Sequence, residues 1–230
     1  MKRNLIIIGI SSTATDLYHF VKEYDLFNII GFAVDIEYKN DDTFLNEPLY
    51  SIDDLGKVIN KEKDFLFVAM LWNRLNADRK SIYNRLNNKG FKFANIISPT
   101  AKIRGKLLGD NCWFHDYTIV QHNADIGSNV SAMAFSLIGA NAKIGAHTFI
   151  GAKSTIGGKA TVGEQCFIGI NSTVFDEREI GNKCIVGAGT SIKRDLPNNT
   201  SCVIAAESFI TKTYSEDEIE SKLMYSKNKR

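Results

Sequence analysis

A six-residue clock runs through the second half of the chain and decides its architecture. Every sixth residue from Leu108 reads Leu108, Phe114, Val120, Ile126, Ala132, Ile138, Ile144, Ile150, Ile156, Val162, Ile168, Val174, Ile180, Val186 and Ile192, so fourteen of fifteen positions carry a large apolar side chain. The next position is Gly in ten of the fifteen, and the position four beyond the aliphatic is mostly small, as at Ala124, Ser136, Ala142, Thr148 and Ala160. A strand alternates with period two, so a period of six calls for short straight segments with turns between them, Gly supplying the backbone freedom. Three segments close a coil. Stacked coils bury the aliphatic ladder and pair their backbones rung to rung at about 4.8 Å. The clock is unbroken from 108 to 192, which leaves no place for a long inserted loop. Thirteen of the 17 Gly lie between Gly105 and Gly189, as this repeat requires.

The four cysteines obey the same arithmetic. Cys112, Cys166, Cys184 and Cys202 are separated by 54, 18 and 18 residues, which places them in one interior column as small buried side chains rather than as a metal or disulfide cluster. Elsewhere the composition is that of a soluble globular protein, 44% apolar and 23% charged. A formal charge of +2, from 28 basic and 26 acidic residues, gives no reason to expect nucleic acid. The N-terminal run LIIIGI is too short for a signal h-region or a membrane span, so a cytoplasmic protein is expected.

The first hundred residues alternate strand and helix. LIIIGI (5–10) reads as a buried strand followed by the polar loop SSTAT and a helical stretch, and FNIIGFAVD (27–35) as a second strand ending in an acid. SIDDLGKVIN opens with a capping pattern, DFLFVAM (64–70) is a third strand, RLNADRKSIYNRLNNKG a helix closed by Gly90, and FKFANIIS a last strand before Pro99. This is a small parallel α/β domain, whose ligand site lies beyond the C-terminal ends of its strands. The expected domains are 1–98 (α/β), 99–213 (coils) and 214–230, where Ser215-Glu-Asp-Glu starts a helix capping the coils.

About 95 residues of the repeat resemble the hexapeptide-repeat, left-handed parallel β-helix acyltransferases. With the Rossmann-like domain in front, the chain resembles the NeuD/PglD-like family, which acylates nucleotide-linked amino sugars or sialic acids. The residues that carry the likeness are Ile8-Gly9-Ile10-Ser11-Ser12-Thr13-Ala14 (family I-G-A-G-G-H-[AG]), Gly31-Phe32-Ala33-Val34-Asp35 (G-F-[LIV]-D), Asn76-Ala77-Asp78-Arg79 (N-x-x-R) and Ser98-Pro99-Thr100-Ala101 (S-P-x-A). The resemblance implies that Gly9, Ser11, Ser12, Asp35 and Arg79 bind the nucleotide sugar. Hydroxyls and amides at a helix N-terminus suit phosphate, and a carboxylate suits vicinal hydroxyls. It also implies a homotrimer, with acyl-CoA in the groove between subunits against Gly158, Gly169, Ile170 and Ala188. Gly169 is demanded by the repeat alone, whereas Gly158 is a second Gly beyond what the repeat needs.

Amide formation from a thioester needs a deprotonated amine, a positioned carbonyl and a donor to the oxyanion. Alignment from the C-terminal coils puts the family's histidine at Ala140. One coil earlier, Ile119-Val120-Gln121-His122-Asn123-Ala124-Asp125-Ile126-Gly127 resembles the family's V-V-E-H-D-x-x-I-G, and His122 lies 18 residues before Ala140 on the same face. His122 is therefore the expected base, with Asn123 or a main-chain carbonyl orienting its ring. Without a base, the alternative is a non-catalytic nucleotide-sugar binder; sialic-acid or sugar O-acetylation is a further alternative. The γ-class carbonic anhydrases share the scaffold but hold zinc with an H-x4-H pair that this chain lacks, so no metal is expected. Arg178 occupies a slot otherwise small, which suggests a local bulge or a salt-linked surface turn. The tail after 205 departs from the family's G-x-P-A-K.

Overall fold

The computed structural model describes residues 2–70, 72–204 and Ser215. The expected helix in 214–230 lies outside the described residues, Ser215 apart.

The α/β unit runs β1 (Asn4–Ile8), α1 (Ser12–Glu23), β2 (Asn28–Val34), β3 (Thr43–Phe44), β4 (Glu47–Ser51), α2 (Leu55–Val58), β5 (Phe65–Val68) and α3 (Ala77–Asn88). The sheet order is β3-β4-β2-β1-β5, parallel except for the β3–β4 hairpin. Successive β1 residues enter opposite cores: Leu5 and Ile7 pack with Leu17, Phe32 and Phe67, and Ile6 and Ile8 with Ile52, Leu66 and Leu86. A strand buried on both faces reads as an unbroken apolar run, which is why LIII (5–8) is legible as one. Ser51 accepts a hydrogen bond from the Asp53 amide and so caps the turn into α2 as its pattern predicts. The hairpin at 43–51 is additional to the predicted strands.

Every segment of the second half is a two-residue strand, and the segments stack into three parallel sheets of six, five and seven strands. Ile138 pairs with Ile156, Ile144 with Val162 and Ile150 with Ile168, eighteen residues apart on each face. The aliphatic ladder is the core. This repeating wrap fits a left-handed β-helix of hexapeptide repeats.

The structure corrects four expectations. First, the clock starts at Phe114, not at Leu108. Ile126 pairs with Leu107, and Leu108 is 68% exposed, because a one-residue slip turns a strand side chain outward. Second, the run predicted as the last α/β strand is shared. Phe93 bridges Leu66 of β5, but Ile96–Ile97 open the first coil by pairing with Trp113–Phe114 of the next, and Trp113 packs into the α/β core. Third, Cys202 leaves the cysteine column. Leu196 bridges Ile180, and Cys202 pairs with Val186, each sixteen residues on, so the shortened last coil moves Cys202 into the aliphatic slot. Cys112, Cys166 and Cys184 stay buried, and burial lifts the thiols of Cys112 to about 12 and Cys166 to about 11.

The fourth correction concerns the turns. The residue with positive φ is the third after each aliphatic, never the repeat glycine. Every sixth residue from Asn111 to Lys183 has φ between 54° and 62°, and these are Asn, Lys, Tyr, Phe, His, Gln and Glu. Their amides bond across the rung, as Asn141 N to His122 O (3.0 Å) and Lys159 N to Ala140 O (2.8 Å). The glycines are needed for proximity: a Cβ on Gly139 would lie 2.6 Å from Gly158 N, and one on Gly151 2.6 Å from Ile170 N.

Candidate functional site

A cavity of about 650 Å³ opens at the C-terminal ends of β2, β1 and β5. In β1's exit loop, Gly9 holds φ +119 and donates to Ala33 O at 2.9 Å. A Cβ there would lie 3.3 Å from Ala69 O in a backbone region L-residues avoid, so the loop needs glycine. Ser11 is extended at the N-cap of α1 and makes no side-chain cap bond, and the first turn contains no acid. Amides of that turn are left facing the cavity together with the side chains of Ser11, Ser12 and Thr13. No Lys or Arg lines the cavity, whereas Asp16 and Asp35 do, so amides and hydroxyls are the groups among its lining able to receive an anion.

Asp35, at the end of β2, lines the same cavity. One carboxylate oxygen accepts from Arg85 Nη2 at 2.5 Å, which fixes the side chain from α3. Thus Gly9, Ser11, Ser12 and Asp35 are brought together. Arg79 is not. Its guanidinium is buried between α3 and the coils, donating to Ser131 Oγ and to His147 O, while Asn76 Nδ2 donates to Cys166 O at 3.0 Å. The Asn76–Arg79 motif therefore clamps α3 onto the coils, and burial brings Arg79's pKa down to about 10. Beside it, Val68 N donates to Asn111 Oδ1, Asn111 to Asn129, and Asn129 meets His147 Nδ1, at 2.8, 2.7 and 2.9 Å. This ladder climbs three coils from the end of β5.

Sequence reasoning missed Trp72. It lines the cavity on the β5 side, is 46% exposed, and sets its indole edge-on to Phe149 at 4.9 Å and Phe167 at 6.1 Å. Phe149 and Phe167 are stacked in consecutive coils at 5.2 Å. The cavity thus abuts the coil face made by 131–132, 149–150 and 167–168. Trp72 is held by three consecutive left-handed residues, Arg74, Leu75 and Asn76 (φ 49°, 54° and 62°), closed by Asn76 N to Trp72 O at 3.2 Å. Such residues cost about 1 to 2 kcal/mol each. The turn is maintained by the buried Asn76 anchor to Cys166 O. No motif announces it.

The remaining candidates sit on the corners of the prism. His122 and Asn123 follow the strand Ile119–Val120, exposed, with Asn123 in the left-handed turn slot. Among the described residues none hydrogen-bonds the His122 ring; its carbonyl accepts from Asn141 N. Gly158 lies on the same corner two rungs up, donating to Asp176 Oδ1 at 2.5 Å. In the triangular section that corner is opposite the face where Trp72 packs. Gly169, Ile170 and Ala188 lie on a third corner, with Ile170 58% exposed. One chain therefore does not unite the expected base with the cavity, nor Gly158 with the other three. A Cβ on Gly158 would come no nearer than 3.4 Å to Ala140 O, so the coil does not require glycine there.

The other coil histidines are enclosed. His115 lies against Trp113 at 4.0 Å, and burial holds its pKa down at about 4. His147 is lowered to about 4 by burial and by nearby Lys80 and Arg79. Asp116 accepts from Tyr24, Ser98 and Thr100; burial works to raise its pKa, and these bonds hold it below the usual range. Arg178 pairs with Asp195 at 3.3 Å, the salt-linked turn that is one of the two readings its slot allows. Among the described residues no group of three or more His, Cys, Asp or Glu side chains is placed to hold a metal ion, and no helix is long and apolar enough to cross a membrane.

Comparison with known proteins agrees with this architecture. Residues 124–158 match the family model for bacterial transferase hexapeptide (six repeats), and residues 159–194 that for the hexapeptide repeat of succinyl-transferase. No curated protein sequence matches the chain. Among solved structures, a His-to-Asn mutant of perosamine N-acetyltransferase from Caulobacter crescentus, in complex with CoA and GDP-perosamine, superposes with a TM-score of 0.77 at 23% identity, covering 87% of this chain and 93% of that one. The acetyltransferase domain of PglB from Neisseria gonorrhoeae, in complex with acetyl coenzyme A, gives 0.76 at 17% identity over 89% and 97%. WeeI from Acinetobacter baumannii gives 0.57 at 15% over 87% and 96%. These likenesses establish the fold across both halves of the chain.

Proposed function

We propose that this chain is a cytoplasmic, homotrimeric, CoA-dependent N-acyltransferase that moves an acetyl or longer acyl group to the amine of a nucleotide-linked amino sugar. One observation carries the reading: the cavity holding Gly9, Ser11, Ser12 and Asp35 runs from the α1 N-terminus to Trp72, whose indole packs on Phe149 and Phe167 of the coil face. A diphosphate at the α1 amides and a ribose or base at Asp35 leave the sugar pointing at the coils. The neighbours solved with CoA and with GDP-perosamine, which share this fold, support the same substrate classes.

In the reaction the amine attacks the thioester carbonyl, the amide C–N bond forms, the C–S bond breaks, and the amine proton leaves. His122 takes that proton, its ring oriented by Asn123 or a main-chain carbonyl, and the released thiolate is protonated to CoA thiol. Because His122 lies on the corner opposite the cavity, the base reaches the sugar from a neighbouring subunit. The same packing would set Gly158 of one subunit beside Gly169, Ile170 and Ala188 of the next, closing a groove for pantetheine. The test is thiol release from acetyl-CoA with UDP- and GDP-linked amino sugars. Release that requires both substrates supports the reading; tight nucleotide-sugar binding without thiol release makes the chain a non-catalytic binder.

A further inference from the structure

Trp72 has no part in the fold that requires an indole half in solvent. Its position follows from the strand order β2-β1-β5. Asp35 ends β2, the Gly9 loop ends β1, and Met70, Trp72 and Asn73 follow β5, so all three stations lie side by side across one edge of the sheet. Adjacent strands are about 4.8 Å apart, so a ligand with its diphosphate over β1 and its nucleoside over β2 extends its remaining end over β5. That end meets the indole, and immediately beyond it the coil aromatics Phe149 and Phe167. The three left-handed residues Arg74–Asn76 and the buried Asn76 bond to Cys166 O hold the indole in place, the kind of backbone outlier that accompanies a ligand clamp.

We infer that Trp72 is a specificity residue: its indole is the platform on which the sugar ring of the nucleotide-linked substrate lies by its apolar face. The inference rests on the proposed function only in taking a nucleotide-linked sugar as the ligand. An indole face favours C–H contacts and a C6 methyl over a C6 hydroxyl, which would lose water against it. Asn73 lines the cavity beside the indole, and the charged residues among its lining are Asp16 and Asp35.

The chain contains two tryptophans, and Trp113 is 2% exposed, so ligand-dependent tryptophan emission reports Trp72. Titration with UDP or GDP alone should leave the emission nearly unchanged, whereas the same nucleotides carrying a 6-deoxy amino hexose should shift it to the blue. In Trp72→Ala the affinity for bare nucleotide should stay within twofold, while KM for the 6-deoxy sugar nucleotide rises at least tenfold with a smaller change in kcat. Preference over the 6-hydroxy analogue should be lost, and Trp72→Phe should recover most of the difference. Equal weakening of bare and sugar-bearing nucleotide in Trp72→Ala, or no weakening of either, overturns the inference. Wild-type protein that shows the emission shift but no thiol release refutes acyl transfer and leaves the platform standing.

Discussion

Glycine serves the two halves of the molecule for different reasons. At Gly9 in the α/β unit the chain needs a backbone angle, φ +119, that other residues avoid, and the result is an open loop at a helix N-terminus. In the coils the repeat glycines have ordinary angles and are needed because the next rung lies almost on top of them. The left-handed angle in the coil turns falls instead mostly on Asn, Lys, Gln, Glu or an aromatic, whose amide commonly bonds the rung below. A loop glycine makes room for a ligand, whereas a coil glycine makes room for the protein itself. Gly158 is an exception, a coil glycine for which a Cβ would meet nothing nearer than 3.4 Å; Gly189, in the left-handed turn slot, is another.

The comparison can be broken by substitution. Gly139→Ala should be the most damaging change, because its Cβ would lie 2.6 Å from Gly158 N and the rungs must part to admit it. A loss of about 3 kcal/mol or more is expected from overpacking of this kind, read as a lower denaturant midpoint. Gly158→Ala, nineteen residues away and one rung up, should leave that midpoint unchanged within about 0.5 kcal/mol and instead raise KM for acyl-CoA. An equal fall in both midpoints would end the distinction.

Next in size is a pH effect at the joint between the halves. His115 has a folded pKa of about 4 against an ordinary 6.5. Both states are neutral above pH 6.5; below it the unfolded chain takes up a proton that the folded chain refuses, so stability falls as pH drops from 6.5 to 4. The loss reaches about 3 kcal/mol at pH 4 for this residue, and His147 acts in the same direction. Urea titrations at pH 7 and 4.5 should show the fall, and His115→Phe should remove about half of it, leaving the share of His147; a slope unchanged by the substitution assigns it elsewhere.

Smaller still, about 2.7 kcal/mol or a hundredfold, is the expected loss of kcat in His122→Ala, the lower end of general-base contributions. The folded midpoint should not move, since the ring is exposed and unbonded. A rate unchanged from pH 6 to 9 would remove His122 from the mechanism. Asn129→Ala should cost about 1 to 3 kcal/mol by leaving Asn111 Nδ2 and His147 Nδ1 without their partner, measurable by thermal unfolding.

Much of this was legible before the structure, and the division follows physical lines. Each coil residue meets the same neighbours as the residue eighteen positions away, so one rule read on sequence places the whole ladder. The cavity residues Gly9, Ser11, Ser12 and Asp35 were legible because strand-end loops gather at one sheet edge whatever the rest of the fold. Leu108 was misplaced because a single-residue slip leaves composition untouched while reversing the side chain. Arg79 was misassigned because a motif shows which residue types are required, and a guanidinium buried against Ser131 is as required as one on a ligand. Trp72 was invisible because its position depends on a strained turn anchored ninety residues away at Cys166.

The sharing of Trp113 between the coils and the α/β core bears on how the molecule is assembled in time. Every rung contact spans one coil, so each new coil closes a loop of constant length and the stack grows like a zipper, whereas β1 must find β5 across about sixty residues. With Trp113 set in the α/β core, the stack begins on a finished surface, and the far end at 185–202 has a neighbour on one side only among the described residues. Amide exchange should therefore quicken from Trp113 toward Cys202, the zipper opening from its loose end.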